Sequence, residues 1–384
     1  MKHLMLACIF LLIVNAFASP RILHDGEKKA NKTFTVAKNG TLDVSVNGGD
    51  IRIQTWDKNE VNVRYDPEDY EEDSDLKIRQ QGNTIYVNDN GSWGAGGLFE
   101  ISVPVQFNLK LQTSYGDLIV RGKLIGNIYG ETSGGDIRLA DVDGAVDGRT
   151  SGGDIRAGKI TGTTSLTTSG GDIEIASSQD ELDVKTSGGN INVGDVGKAL
   201  RARTAGGDIV IGNVGGEANA STAGGNVRVG KVSGRVTLST AGGDIELSGG
   251  NGSIKASTSG GNVSLTNISG LVSASTSGGD IVAELAPSGK VKSRLSSAMG
   301  LIKLYLPENA KATITAHIRI EGRWRAQKDD YRVISDFKEE SSLRHEDEQE
   351  IESTYKLNGG GEIITLETVN SDIEIRKLKK QPTD

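Results

Sequence analysis

Thr132-Ser133-Gly134-Gly135-Asp136-Ile137 is the first of nine hexapeptides of the form Thr-(Ser/Ala)-Gly-Gly-(Asp/Asn)-(Ile/Val), which recur at one constant spacing. The copies begin at Thr132, Thr150, Thr168, Thr186, Thr204, Thr222, Thr240, Thr258 and Thr276. A short fixed period indicates a stacked architecture, because one such unit cannot bury its apolar face alone. Gly-Gly pairs and β-branched residues disfavour helix. The repeat therefore predicts an all-β, single-chain β-solenoid, similar to a β-helix, with 18-residue rungs.

Apolar residues recur at fixed positions of the rung when the Thr is counted as position 0. Positions +5 and +7 are apolar, as in Ile209 and Ile211, and position +6 between them is mostly polar or charged. This alternation is typical of a half-buried strand. Positions +14 and +16 repeat the pattern, and by the same alternation the next Thr points inward. We therefore predict two short strands per rung and a buried ladder of Thr side chains.

Position +4 holds an acid or its amide in every copy. The column reads Asp136, Asp154, Asp172, Asn190, Asp208, Asn226, Asp244, Asn262 and Asp280. Either side chain accepts hydrogen bonds from the N–H groups of a turn, so we predict a structural turn ladder at the Gly-Gly corners. The alternative is a calcium-binding roll, in which two successive nonapeptides make up a coil of the same period. Its second carboxylate ladder is missing, because the residues nine positions further on include Ala145, Thr163 and Leu271.

The ends of the chain differ from the regular array, since no aromatic residue occurs from Glu131 through Leu304. Degenerate copies of the repeat flank the array, as at residues 47–53 and 370–375. An open solenoid would expose its apolar cross-section and unpaired strand edges, so we predict end caps that carry the aromatic residues. An aromatic binding surface around Trp56, Trp93 or Trp324 is the alternative.

The predicted segments are a signal peptide (1–18), a flexible segment (19–30), an N-terminal β cap with degenerate rungs (31–129), the regular solenoid (130–293), C-terminal degenerate rungs and cap (294–378) with a charged excursion (321–352), and a tail (379–384).

The first residues indicate export. A short basic start at Lys2 precedes an apolar run and an Ala16-Phe17-Ala18 sequence that matches a signal-peptide cleavage site. The run is too short to span a bilayer comfortably. Cleavage after Ala18 would remove Cys8, the one cysteine of the chain. We expect a periplasmic, cell-surface or secreted protein with no membrane span after cleavage, and an uncleaved anchor is the alternative.

Charge and histidine content limit the function classes. The formal net charge is −8, and basic residues are scattered over outward columns. The sequence therefore does not indicate the basic patch that nucleic-acid-binding proteins carry. None of the four His residues, His3, His24, His317 and His345, lies in the repeat array. A catalytic triad or a zinc site needs more histidine in one place than this chain supplies. We predict no catalytic residues, no metal site and no cofactor.

Several motifs resemble a known family. The Ser-Gly-Gly-Asp-Ile repeats, the opening at residues 40–56 and the strand-Pro elements Ile101-Ser-Val-Pro104 and Leu304-Tyr-Leu-Pro307 are similar to the exported β-strand-repeat family known as "putative adhesin", a domain of unknown function. The resemblance covers almost the whole chain after the signal. It implies a β-solenoid, an envelope or extracellular location and an adhesive role, and it transfers no catalytic residues.

We interpret the chain as a non-enzymatic, exported interaction module that binds an unknown surface ligand, either a glycan or a protein. A carbohydrate-active β-helix enzyme is the first alternative, and a calcium- or ice-binding β-roll is the second. An ice binder needs a flat outward Thr face. The outward position before each Thr instead holds Glu131, Arg149, Thr167, Lys185, Arg203 and then Ser.

Overall fold

A computed structural model describes residues 30–67, 76–89, 97–287, 291–321, 331–345 and 349–378. Across these ranges the regular secondary structure consists of 37 β-strands. The described part contains no helix with the length and apolarity needed to cross a membrane. The predicted signal peptide, Trp93, Trp324 and the predicted tail lie outside the described residues.

The first eight strands precede the regular array. They are β1 (Ala30–Thr35), β2 (Gly40–Val46), β3 (Asp50–Trp56), β4 (Glu60–Pro67), β5 (Lys77–Gln81), β6 (Thr84–Asp89), β7 (Gly97–Pro104) and β8 (Phe107–Gln112). The last seven follow it. They are β31 (Ile302–Leu306), β32 (Ala312–Arg319), β33 (Val333–Ser335), β34 (Ser341–His345), β35 (Glu350–Leu357), β36 (Glu362–Val369) and β37 (Ile373–Lys377).

The strands between them form the rungs. They are β9 (Leu118–Arg121), β10 (Leu124–Ile125), β11 (Ile128–Glu131), β12 (Ile137–Leu139), β13 (Val142–Asp143), β14 (Val146–Arg149), β15 (Ile155–Ile160), β16 (Thr164–Thr167), β17 (Ile173–Ser178), β18 (Leu182–Lys185), β19 (Ile191–Val196), β20 (Leu200–Arg203), β21 (Ile209–Ile211), β22 (Ala218–Ser221), β23 (Val227–Val232), β24 (Val236–Ser239), β25 (Ile245–Gly250), β26 (Ile254–Ser257), β27 (Val263–Ile268), β28 (Val272–Thr276), β29 (Ile281–Leu285) and β30 (Lys292–Ser297).

The strands build two sheets, which we call sheet A and sheet B. Sheet A has the order β1-β4-β7-β3-β9-β12-β15-β17-β19-β21-β23-β25-β27-β29-β31-β37-β33, with β10 and β13 beside the end of β15. Sheet B has the order β5-β6-β2-β8-β11-β14-β16-β18-β20-β22-β24-β26-β28-β30-β36-β32-β35-β34. Most rungs give one strand to each sheet, whereas the rungs with β9–β10 and β12–β13 have the sheet A segment divided into two strands. This arrangement confirms the predicted solenoid with two short strands per rung.

The register of the array follows the period of the sequence. Ile209 pairs with Ile191 on one side and with Val227 on the other, so each partner lies one full period away. The inward positions are fully buried, as Ile209 and Leu238 show with 0% exposure, and the core between the two sheets is continuous along the stack. A slip of one residue would turn a whole apolar column outward, so burial specifies this register strongly.

The predicted inward Thr ladder is present, because all nine repeated Thr side chains are buried. Each hydroxyl joins two rungs. Thr204 Oγ1 donates to the carbonyl oxygen of Gly189 in the preceding rung at 2.8 Å and accepts the N–H of Gly207 in its own rung at 3.3 Å. A buried hydroxyl without partners would destabilise the fold, and here both of its roles are filled.

The two glycines of each corner have different requirements. A Cβ added at Gly189, the second glycine, would lie 2.1 Å from the carbonyl oxygen of Gly171 in the preceding rung. A Cβ added at Gly188, the first glycine, would lie 3.3 Å from the carbonyl oxygen of Gly170. The second glycine therefore permits the close stacking of backbones at the corner, whereas the first leaves space for a small side chain.

We expect Gly189→Ala to destabilise the protein by about 1–3 kcal/mol, because the neighbouring backbone must move to accept the new methyl group. Gly188→Ala is the matched control and should cost less than about 1 kcal/mol. Urea denaturation of both variants measures the difference. Equal costs at the two positions would contradict the close approach at the second glycine.

The ends of the stack do not follow chain order. At the N-terminal end, β2 and β3 insert as one rung between the β6–β7 and β8–β9 rungs. At the C-terminal end, β36 and β37 insert between the β30–β31 and β32–β33 rungs. Antiparallel strands then complete both ends, through β1–β4–β7 and β5–β6 at the first and β32–β35–β34 at the second.

Aromatic side chains lie in these end regions. Tyr65 and Phe99 are buried and stacked, with ring centroids 4.6 Å apart. The half-buried Trp56 donates from Nε1 to the carbonyl oxygen of Glu60 at 2.8 Å. The described part of the predicted charged excursion forms β33, β34 and the start of β35. The role of the end regions as caps and the exact segment boundaries stay predictions.

Candidate functional site

The position +4 side chains connect each rung to the next one. Asp172 Oδ1 accepts the backbone N–H of Asn190 at 2.6 Å, and Asn190 Oδ1 accepts the N–H of Asp208 at 2.9 Å. The same contact joins every member of the column from Asp136 through Asp280, each to its equivalent in the following rung. Only one oxygen is needed to accept the N–H group, so Asn serves as well as Asp. These hydrogen bonds give a partner to a backbone N–H group at each Gly-Gly corner.

This ladder extends beyond the nine residues that the sequence suggested. Asp50 accepts the N–H of Asp117, and Asp117 accepts the N–H of Asp136. At the other end Asp280 accepts the N–H of Leu301, and Asp372 accepts that of Arg332. Asp50, Asp117 and Asp372 stand in the degenerate copies of the repeat. The spacing of these copies departs from the period of the array, so a search for a fixed period misses their membership of the column.

Arginine side chains neutralise the first carboxylates of the ladder. Arg138 forms ion pairs with Asp117 and Asp136, and Arg156 pairs with Asp154 at 2.9 Å. The hydrogen bond to Asp117, together with the charges of the surrounding carboxylates, raises the pKa of the Arg138 guanidinium above its usual range. These acids are therefore held by backbone N–H groups on one oxygen and by guanidinium groups on the other.

Among the described residues, no group of three or more His, Cys, Asp or Glu side chains is placed to hold a metal ion. His317 Nδ1 lies 3.5 Å from Glu350 Oε1 and 4.0 Å from Glu352 Oε2 on sheet B. His345 lies in β34, and His24 lies outside the described residues.

We expect a chelator to leave the melting temperature and the circular dichroism spectrum of the protein unchanged. The physical reason is that the Oδ1 atoms of the ladder already accept backbone N–H groups, which bind without a cation. Thermal melts with EDTA and with added Ca²⁺ test this. A large gain of β-sheet signal on addition of Ca²⁺ would instead support the calcium-roll alternative.

The outward face of sheet A is largely self-neutralised. Its position +6 column sets opposite charges on neighbouring strands, so Arg156 pairs with Glu174 at 3.5 Å and Arg228 pairs with Glu246 at 3.2 Å. A shallow groove of about 570 Å³ crosses this face beside Arg121, Arg138 and Arg156. Two of these three arginines are engaged by acids of the same face.

The outward face of sheet B has a different composition. Near the start of the array, Tyr129 Oη donates to Glu131 Oε2 at 2.5 Å, and this bond and a second from Gln112 lower the pKa of the Glu131 carboxyl. Further along, a groove of about 550 Å³ crosses strands β16 to β24. Its outward lining is polar and includes Ser165, Asp183, Arg201, Asn219 and Thr237.

The middle of sheet B also brings two cations together. Lys185 and Arg203 are exposed and directly paired in register on neighbouring strands. On its other side Lys185 pairs with Thr167, and Arg203 pairs with Ser221, and neither of these neighbours is charged. These residues were predicted to lie in an outward column, but their sequence positions alone did not reveal a cluster. The signal was present in the spacing between them, which equals one period of the repeat.

The model of the Toastrack DUF4097 family matches residues 176–376, which is more than half of the chain. Among curated proteins, none matches the chain. A "putative cell adhesion protein" from Clostridium sporogenes is a structural neighbour with 9% identity and a TM-score of 0.16, over 91% of this chain and 99% of that protein. A "putative adhesin" from Bacteroides fragilis has 12% identity and a TM-score of 0.24, over 92% and 98% of the two chains. A "putative lipid binding protein" from Parabacteroides distasonis has 13% identity and a TM-score of 0.20, over 91% and 97%.

Proposed function

The chain belongs to the Toastrack DUF4097 family, and from this premise we propose that it is a non-enzymatic, exported interaction module of the adhesin type. The module acts in the periplasm, at the cell surface or outside the cell, and it binds a glycan or a protein through its outward faces. The predicted signal peptide supports export. The repeated Thr side chains are buried in the stack, and the Asx side chains at the corners are held by backbone N–H groups, so we assign ligand binding to the outward columns.

The single observation that carries this proposal is the outward face of sheet B. Its columns present hydroxyl, amide and charged side chains on successive parallel strands, which lie about 4.8 Å apart. The groove across β16 to β24 follows this face over five rungs. A long polar surface of this kind suits an extended ligand that makes many weak contacts, and multivalent contacts of this sort give useful avidity.

A binding screen with the purified full chain tests the proposal. We expect saturable binding to at least one member of a panel of glycans and intact cells, with the bound polysaccharide recovered at its original length. Heat-unfolded protein is the control, because it has the same composition without the ordered columns. Shortening of a polysaccharide during incubation would favour the carbohydrate-active enzyme, and a failure to bind any member of the panel would count against the module.

A further inference from the structure

We propose that the ligand of this module is a carboxylated polysaccharide, which binds on the outward face of sheet B across Lys185, Arg201 and Arg203. This inference rests on the proposed function and names the ligand class. The three cations lie on two neighbouring strands, β18 and β20, beside the groove that continues to β24.

Two like charges face each other on neighbouring strands of sheet B. Lys185 and Arg203 stand directly opposite each other, an arrangement that destabilises a sheet unless an anion compensates it. Among the described residues, neither cation forms an ion pair with a carboxylate. Arg201 has only a long contact with Asp183, at 3.7 Å, between two side chains that are both about half exposed.

The outward cations of sheet A are arranged differently. There the cations of the corresponding outward column face acids, as in the Arg156–Glu174 and Arg228–Glu246 pairs. The repeat can therefore neutralise its own outward charges, and it also does so on sheet B at the Arg149–Asp147 pair, but not at Lys185 and Arg203. On sheet B the guanidinium of Arg203 and the ammonium of Lys185 keep their hydrogen-bond donors available to an external carboxylate, which a guanidinium binds in a bidentate manner.

The surface beside the cations carries amide and hydroxyl groups. Beyond Arg203 the same columns continue with Asn219, Ser221, Thr237 and Ser239, whose amide and hydroxyl groups match the hydroxyl groups of a sugar chain. The groove also contains the acids Glu181, Asp183 and Glu217, so it is mixed in charge and not a uniform anion site. A polymer with hydroxyl groups and spaced carboxylates fits this pattern.

A membrane surface fits less well. The exposed large apolar side chains of the described residues are Tyr115, Val210, Met299, Leu343, Ile363 and Leu378. None of them lies in the β16 to β24 part of sheet B, so no apolar group stands beside the cations to enter a bilayer. The formal net charge of −8 opposes general attraction to a polysaccharide anion and to an anionic membrane alike, so binding of either must come from the local cluster.

The test compares two double variants that remove the same charge from opposite faces. Lys185→Ser with Arg203→Ser introduces the residue that Ser221 and Ser239 already supply in that column, so the fold should be retained. Arg156→Ser with Arg228→Ser is the matched control on sheet A, where Ser264 occupies the same column. Thermal melts confirm that both variants fold. The probes are polygalacturonate, neutral dextran and phosphatidylglycerol vesicles.

We expect the unmodified chain to bind polygalacturonate, and the sheet B variant to bind it at least about tenfold more weakly because two charge-assisted contacts are lost. The sheet A variant should change the affinity by less than about twofold, and added salt should weaken binding by the unmodified chain. Equal losses in both variants would overturn the proposal in favour of general electrostatic attraction. Binding to dextran alone, or to the vesicles alone, would also overturn it.

The outcomes separate this inference from the proposed function. A chain that binds neutral glycans or cells, and that binds them equally well after Lys185→Ser with Arg203→Ser, remains an interaction module but has a different ligand. A chain that binds nothing in either experiment contradicts both proposals.

Discussion

Ile209→Asp is expected to destabilise the centre of the stack by about 4 kcal/mol or more, because it removes a large apolar side chain and buries an unpaired carboxyl group. Ile209 is completely buried in β21 and packs between the equivalent residues of the rungs on either side. Urea denaturation followed by circular dichroism measures the loss.

Val210→Asp is the matched control, since Val210 follows Ile209 in the same strand but is 41% exposed on the outward face of sheet A. Its cost should stay at about 1 kcal/mol, which is the span of strand propensity at a partly exposed position. Arg228 is its neighbour in register on the next strand, and an acid opposite it reproduces the charge pattern of this column. Similar losses of stability in the two variants would contradict the inward and outward assignment of the columns.

Deletion of residues 213–221 is expected to disrupt the stack, whereas deletion of the whole repeat unit 204–221 should be tolerated. The longer deletion removes one complete rung, with β21 and β22, and joins Arg203 to Thr222 in equivalent positions. Each rung contacts mainly its two neighbours, so the stack should lose one rung's share of stability and shorten by about 4.8 Å.

The nine-residue deletion removes β22 alone and joins two strands of sheet A without a sheet B strand between them. Sheet B would then have a gap between β20 and β24, where backbone N–H and carbonyl groups would lose their partners. Circular dichroism melts and small-angle X-ray scattering compare the two deletions. If the nine-residue deletion folds as well as the longer one, the true repeat is a nonapeptide, and the rung architecture would have to be abandoned.

The candidate site could be predicted only in part from the sequence. The Asx column was identified at nine positions, and its capacity to accept turn N–H groups was expected. The donor, however, is the residue of the following rung, such as Asp208 for Asn190. Which N–H group each side chain reaches depends on the displacement of one rung relative to the next at the corner. The spacing of residues in the sequence does not specify this displacement.

Pattern alone was sufficient for the regular array. A constant period with apolar positions +5, +7, +14 and +16 leaves one arrangement that buries all of these columns at once, so fold class, register and the inward Thr ladder could be predicted. Each copy of the repeat places an apolar residue at the same buried position. Every additional copy therefore supports the predicted solenoid.

Tertiary structure decided the ends of the stack and the distribution of charge over its faces. The rungs β2–β3 and β36–β37 insert out of chain order, because strand pairing there joins segments far apart in sequence with no common period. Lys185 and Arg203 form a cluster only when two strands lie side by side, whereas Arg156 meets an acid by the same geometry. Sequence determined which side chains point outward, because strand alternation is local. Only the packed sheets determined which outward side chains contact each other, because these contacts join neighbouring strands.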